Sequence, residues 1–171
     1  MSQWTHVAGI IRIDSMGAAI VRGPDKEKNN KIKEAVAKAL GNTFNFESSE
    51  EDWNRGSAPA GSEGSLQYSV SSNSDGDEHA LSWGYISIWG DLRDFGSEDV
   101  PSLTDWFQKS LERLLKPEGF EDPAFMSNND KAEYMLSSFM IRDAVLGIHV
   151  EYSPRIVLVW DDEKKKVNMI Q

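Results

Sequence analysis

The sequence predicts an α+β fold of the ferredoxin-like kind, a split βαβ arrangement. An antiparallel sheet carries two main helices on one face and gains an extra C-terminal strand. Three observations predict it. Trp4 to Asp14 alternates with the period of two of a strand, and two later stretches carry the 3.6-residue period of amphipathic helices. Between those helices lies a pair of strand-like runs, and two more close the chain, giving the order strand, helix, strand, strand, helix, strand and one further strand.

In WTHVAGIIRID, Val7, Gly9, Ile11 and Ile13 fall on one face and Trp4, His6, Ala8, Ile10 and Arg12 on the other, so both faces are partly apolar, as suits an inner strand. The small, flexible SMGAAIVRGPD, punctuated by Gly23-Pro24, is expected to be a connecting loop. Asp25 to Leu40 places Ile32, Ala35, Val36, Ala39 and Leu40 on one helical stripe and ends at a Gly41-Asn42 C-cap. The polar, acidic stretch from Asn42 to Ala60 holds Phe44, Phe46 and Trp53 as anchors, and is expected to be ordered with a short strand at Thr43 to Glu47.

Gly61 to Phe95 is the predicted central hairpin. Leu66, Tyr68 and Val70 alternate with Gln67, Ser69 and Ser71 before the turn-rich insert SSNSDGDEHA, and ISIWGDLRDF follows it. Pro101 to Lys116 is the strongest helix, with Leu103, Trp106, Phe107, Ser110, Leu111, Leu114 and Leu115 in one stripe and proline in the first turn. Lys116 to Asn129 reads as a loop and Asp130 to Ser138 as a short helix with Tyr134 and Met135 turned inward. Ile141 to Glu151 and Ile156 to Trp160 form a hairpin about Ser153-Pro154, and Lys164 to Lys166 belongs to a charged end.

Composition narrows the function. At 171 residues the chain is expected to be one domain, residues 1 to 171, with six Trp and seven Phe to fill a core. It has no cysteine, which excludes disulfides, thiolate metal sites and cysteine nucleophiles. A net charge of -10 opposes direct nucleic-acid binding, because phosphate neutralisation needs clustered Lys and Arg. No apolar run reaches the ~20 residues of a membrane span, and MSQWTHVAG lacks the form of a signal peptide. A soluble protein without membrane contact is expected.

The candidate site lies at the two ends of the central hairpin. Gly61, Ser62, Glu63 and Gly64 resemble a backbone nest for an anion, although the helix and lysine of a phosphate-binding loop are missing. A plain turn is the competing reading. Asp91 and Arg93 sit at a strand-to-helix corner where a guanidinium serves either an anionic ligand or a structural ion pair. Arg142 enters an apolar strand and is expected either to meet a carboxylate such as Glu63 or Asp91 or to face the open side of the sheet. His6 and His149 become neighbours if their strands pair, while His79 lies in the acidic insert with Asp75, Asp77 and Glu78. Trp4, Trp83, Tyr85 and Trp89 are available to line an open sheet face. No catalytic group, metal site or cofactor is expected, and the balance leans away from an enzyme.

Four segments, WTHVAGIIRID, GSEGSLQY, ISIWGDLRDF and MIRDAVLGIHVEY, together resemble small bacteriophage and prophage proteins that have no assigned activity. They cover less than half of the chain. The resemblance implies a phage-associated setting in the bacterial cytoplasm and supplies no catalytic residues. The function expected is therefore that of a non-enzymatic accessory protein that binds and inhibits or redirects a host component, with anti-defence proteins of the anti-CRISPR type as the most concrete class. A small-molecule or nucleotide-binding protein, with a hydrolase as one form of it, and a virion or assembly component are the alternatives. The oligomeric state stays open.

Overall fold

A computed structural model describes residues 3–41, 58–72 and 82–170. The expected strand at Thr43 to Glu47, the anchors Phe44, Phe46 and Trp53, and His79 with its acidic neighbours lie outside the described residues. Strand β1 is Trp4–Asp14, followed by helices α1 (Met16–Ile20) and α2 (Asp25–Leu40), then strands β2 (Gln67–Ser72) and β3 (Trp83–Arg93). A 3-10 turn at Ser97–Asp99 leads into α3 (Val100–Leu115), and α4 (Asn128–Ser137), β4 (Met140–Val150), β5 (Ile156–Asp161) and β6 (Lys166–Ile170) complete the chain. The fold is α+β, with one antiparallel six-stranded sheet in the order β2-β3-β1-β4-β5-β6.

β1 lies at the centre because both of its edges are paired. Ile11 stands opposite Ile86 on β3 and Ala144 on β4, and all three are fully buried. Val7, Ile11 and Ile13 share the core face with Ile88, Leu92, Leu146 and Ile148. Helices supply the other half of the core through Ile32, Val36 and Leu40 of α2 and Leu103, Phe107, Leu111 and Leu114 of α3. Each large apolar side chain buried in this way contributes about 1.5–3 kcal/mol.

Helix ends are tied down by side chains. Trp106 donates its indole N–H to the Leu40 carbonyl at 2.8 Å, capping α2, and Ser127 accepts the Asp130 amide at 3.2 Å to start α4. Two elements depart from the sequence expectation. The stretch expected to be a loop after β1 contains α1, whose N-cap Ser15 accepts the Ala18 amide, and Lys28 of α2 donates to the Ala18 carbonyl at 3.0 Å. The charged end contains a turn and then β6, in register with β5 from Val157↔Ile170 to Asp161↔Lys166. In α4 the buried side chain is Leu136, and Tyr134 and Met135 are only half-buried.

At the outer end of β6, Gln108 of α3 takes the Val167 amide on its Oε1 at 2.6 Å and donates from Nε2 to the Lys165 carbonyl at 3.2 Å.

Candidate functional site: the open sheet face

Antiparallel pairing puts directly opposed residues on the same face, so the register fixes what the second sheet face presents. Four rows run across it. The first holds Asp91, His6 and His149; the second holds Gln67, Trp89, Ala8, Gly147, Val157 and Ile170. The third holds Ser69, Ser87, Ile10, Val145, Val159 and Asn168, and the fourth Ser71, Tyr85, Arg12 and Asp143. This face is open along its centre: Ile10 is 39% exposed, Trp89 46% and Ile170 56%. Apolar side chains standing together in water in two adjacent rows are characteristic of an interaction surface.

The first row carries the polar chemistry. His6 and His149 are opposed in register, as strand pairing required, with ring centroids 5.9 Å apart. His6 Nδ1 lies 2.6 Å from Asp91 Oδ1, which orients the imidazole. Beside this pair is a depression of about 290 Å³, floored by Ala8 and Gly147 and walled by His6, His149, Arg155 and Val157. Among the described residues no three His, Asp or Glu gather as a metal site.

The loop from Gly61 to Gly64 is a docked turn. The Gly61 amide donates to the Gly64 carbonyl at 3.0 Å, the Ser62 amide to the Arg93 carbonyl at 2.9 Å, and Arg93 returns its own amide to the Glu63 carbonyl at 2.9 Å. The Gly61 and Ser62 amides of the supposed nest are thus occupied by main-chain acceptors. Gly64 sits at φ +76, where a Cβ would lie 2.0 Å from the Asp91 carbonyl oxygen, so the turn needs glycine there for both conformation and space. The Glu63 carboxylate pairs with the Arg93 guanidinium, whose Nε is buried without a hydrogen-bond partner among the described residues, and Ser62 Oγ donates to Asp94 at 2.6 Å.

The expected site residues therefore divide into two groups. Glu63, Asp91 and Arg93 gather with the glycine loop at one end of the sheet, where β1 begins. Arg142 bonds Asp14 Oδ2 at 2.6 Å at the other end, rather than Glu63 or Asp91. A β-bulge between the Arg12 and Ile13 pairings inserts Arg142 as an extra residue on β4. Trp4 pairs with Arg93 and Asp14 with Met140, so the two arginines stand about 30 Å apart at ~3.3 Å per strand residue.

No family model, curated protein or solved structure matches this chain. Trp4, Trp83, Tyr85 and Trp89 were the expected lining of the open face and Ile10 was expected on the same face of β1 as His6, whereas Val145, Val157 and Ile170 were not assigned to it. Their signal was present: alternate residues of these strands are apolar on both faces, one more apolar face than the helices cover.

Proposed function

We propose that this protein is a non-enzymatic accessory protein that engages a host protein through the open face of its sheet. The phage setting is the one implied by the resemblance of its four segments, and an anti-defence protein is the most concrete class. The observation that carries this reading is the exposed apolar centre of the face, with Ile10, Trp89 and Ile170 left in water while polar and charged groups stand around it. The Glu63–Arg93 and Asp14–Arg142 ion pairs and the opposition of Arg12 to Asp143 in the fourth row mix charges of both signs there, with no cluster of one sign. Such a face suits a protein surface better than a polycation or a nucleic acid. Among the described residues no helix is long and apolar enough to cross a membrane, and a cytoplasmic location fits the phage setting.

The small-molecule alternative requires Arg93 and Arg142 to converge, and their separation weighs against it. We also infer a ferredoxin-like layout for the first four strands, which run β4-β1-β3-β2 across the sheet, with β5 and β6 extending it beyond β4.

Affinity capture from a bacterial host lysate tests the reading, using the wild type, Ile10→Glu on the open face and Lys131→Glu on the helix side. One host protein retained by the wild type and Lys131→Glu and lost by Ile10→Glu is the expected result. Its retention by Ile10→Glu, or repeated capture of no specific partner, overturns it.

A further inference from the structure

The open face is self-complementary. We propose that a second copy of this chain covers it, in a face-to-face dimer whose two-fold axis lies between the second and third rows and runs perpendicular to the strands. The inference rests on the reading of this face as an interaction surface and names what occupies it when no host partner is bound.

The register supports this axis. A two-fold in that position lays each strand antiparallel over its own copy, so the second row of one molecule meets the third row of the other. On every central strand a small residue then faces a larger one. On β1, Ala8 meets Ile10; on β4, Gly147 meets Val145; on β3, Ser87 meets Trp89. The depression of about 290 Å³ floored by Ala8 and Gly147 is where Ile10 and Val145 of the second copy enter. In the flanking rows, His149 of one copy comes over Asp143 of the other on β4, and Arg12 comes over the His6–Asp91 pair.

The other axis available to two stacked sheets runs parallel to the strands, between β1 and β4. It fails on size. It places Ala8 over Gly147, leaving a void, and Ile10 over Val145, large against large. Close packing at an interface core selects the first axis.

Area is sufficient. The two central rows span six strands and the outer rows three and four, so at ~4.8 Å between strands and ~6.7 Å between rows the face covers roughly 600 Å² per copy. A standard interface buries about 800 Å² per partner, so the dimer belongs at the smaller end and dissociates on dilution. Each copy carries a net charge of -10, so salt, which screens that repulsion beyond about 8 Å at physiological strength, strengthens the association.

Sedimentation equilibrium of the intact chain tests the proposal, with circular dichroism confirming that each variant is folded. The wild type is expected to move from monomer to twice the monomer mass across the micromolar range, more readily at high salt. Ala8→Leu overfills the contact with Ile10 and weakens association about tenfold or more. The exchange Ala8→Leu/Ile10→Ala returns large against small and restores it. Under the parallel axis Ala8→Leu fills the void over Gly147 and tightens the dimer, which overturns the proposal. A dimer indifferent to Ala8→Leu, paired through a strand edge or the helices, also overturns it. So does a wild type that stays monomeric throughout, which leaves the host-partner reading to be decided by Ile10→Glu capture.

Discussion

Replacing Gly64 by alanine should unfold this protein far more readily than the same change at Gly119, although both glycines have nearly the same backbone conformation. Gly64 is at φ +76 and Gly119 at φ +86, so each substitution incurs the left-handed strain of a non-glycine residue, about 1 kcal/mol. Around Gly119 a Cβ meets no atom of the described residues within 4 Å. At Gly64 it would lie 2.0 Å from the Asp91 carbonyl oxygen, which is fixed in β3 and has no flexible side chain to move aside. The loop must lift, and three main-chain hydrogen bonds involving Gly61, Ser62, Glu63, Gly64 and Arg93 go with it. At about 1 kcal/mol net each, their loss adds about 3 kcal/mol to the shared strain. Urea unfolding followed by tryptophan fluorescence measures both variants against the wild type. Gly119→Ala should cost about 1 kcal/mol and Gly64→Ala about 4 kcal/mol, a large part of the stability of an ordinary domain. Equal losses within about 0.5 kcal/mol would refute the docking of this loop on β3 and reopen its amides as an anion site.

Three further outcomes are expected. The Thr5 hydroxyl is fully buried and donates to the Phe95 carbonyl at 2.5 Å, so Thr5→Val should cost about 1–3 kcal/mol in urea unfolding; no loss would show that the carbonyl finds another donor. Burial raises the Tyr68 phenol above its ordinary 10.0. The folded state then holds this proton more tightly than the unfolded chain, so its contribution is intact below pH 10 and lost as pH climbs above it, and Tyr68→Phe should flatten that alkaline fall in the urea midpoint. The Asp161 carboxylate is held below its ordinary 3.8, first by the Lys164 amide and then by the Lys164 side chain. Its contribution is present above that value and lost as pH falls through the lower, folded one. An NMR titration of Asp161 with a midpoint at or above 3.8 would contradict that environment.

The sequence was most legible where a pattern is long and local. β1, α2 and α3 each carry more than ten residues of one period, and their stripes name the core: of the seven residues expected on α3, six are buried and Leu115 is half-buried. α1 has five residues, too few to display a helical period, and forms because partners distant in sequence hold it. A Cβ on its Gly17 would stand 2.2 Å from the Met135 carbonyl oxygen of α4, a closeness no local signal encodes. β6 is an edge strand in which Val167 alone is buried, so its composition is that of a solvated tail and only pairing with β5 makes it a strand.

The site divides in the same way. His6 and His149 were readable as neighbours because both belong to strands whose phase is plain. The partner of Arg142 was not readable, because a one-residue bulge sets where that side chain falls, and a bulge arises from pairing between strands rather than from the strand's own residues. Hydrophobic patterning shows that a second face is apolar, but which small residue lies beside which large one depends on register. That is why the complementarity of Ala8 with Ile10 and of Gly147 with Val145 appears only once the strands are paired.

The contact between Gln108 and β6 has a consequence for how this chain behaves in crowded solution. A sheet edge with free amides and carbonyls is a template on which foreign strands add, the first step toward cross-β aggregates. Here one carboxamide occupies the Val167 amide and the Lys165 carbonyl, standing in for the backbone of a seventh strand. Gln108 is carried by α3 beside the fully buried Phe107 and Leu111, which keeps its carboxamide within reach of that edge as long as the core is packed. A foreign strand adding at the Lys165–Val167 stretch must first displace this carboxamide, so addition at this end competes with an intramolecular partner that is always present in the native protein.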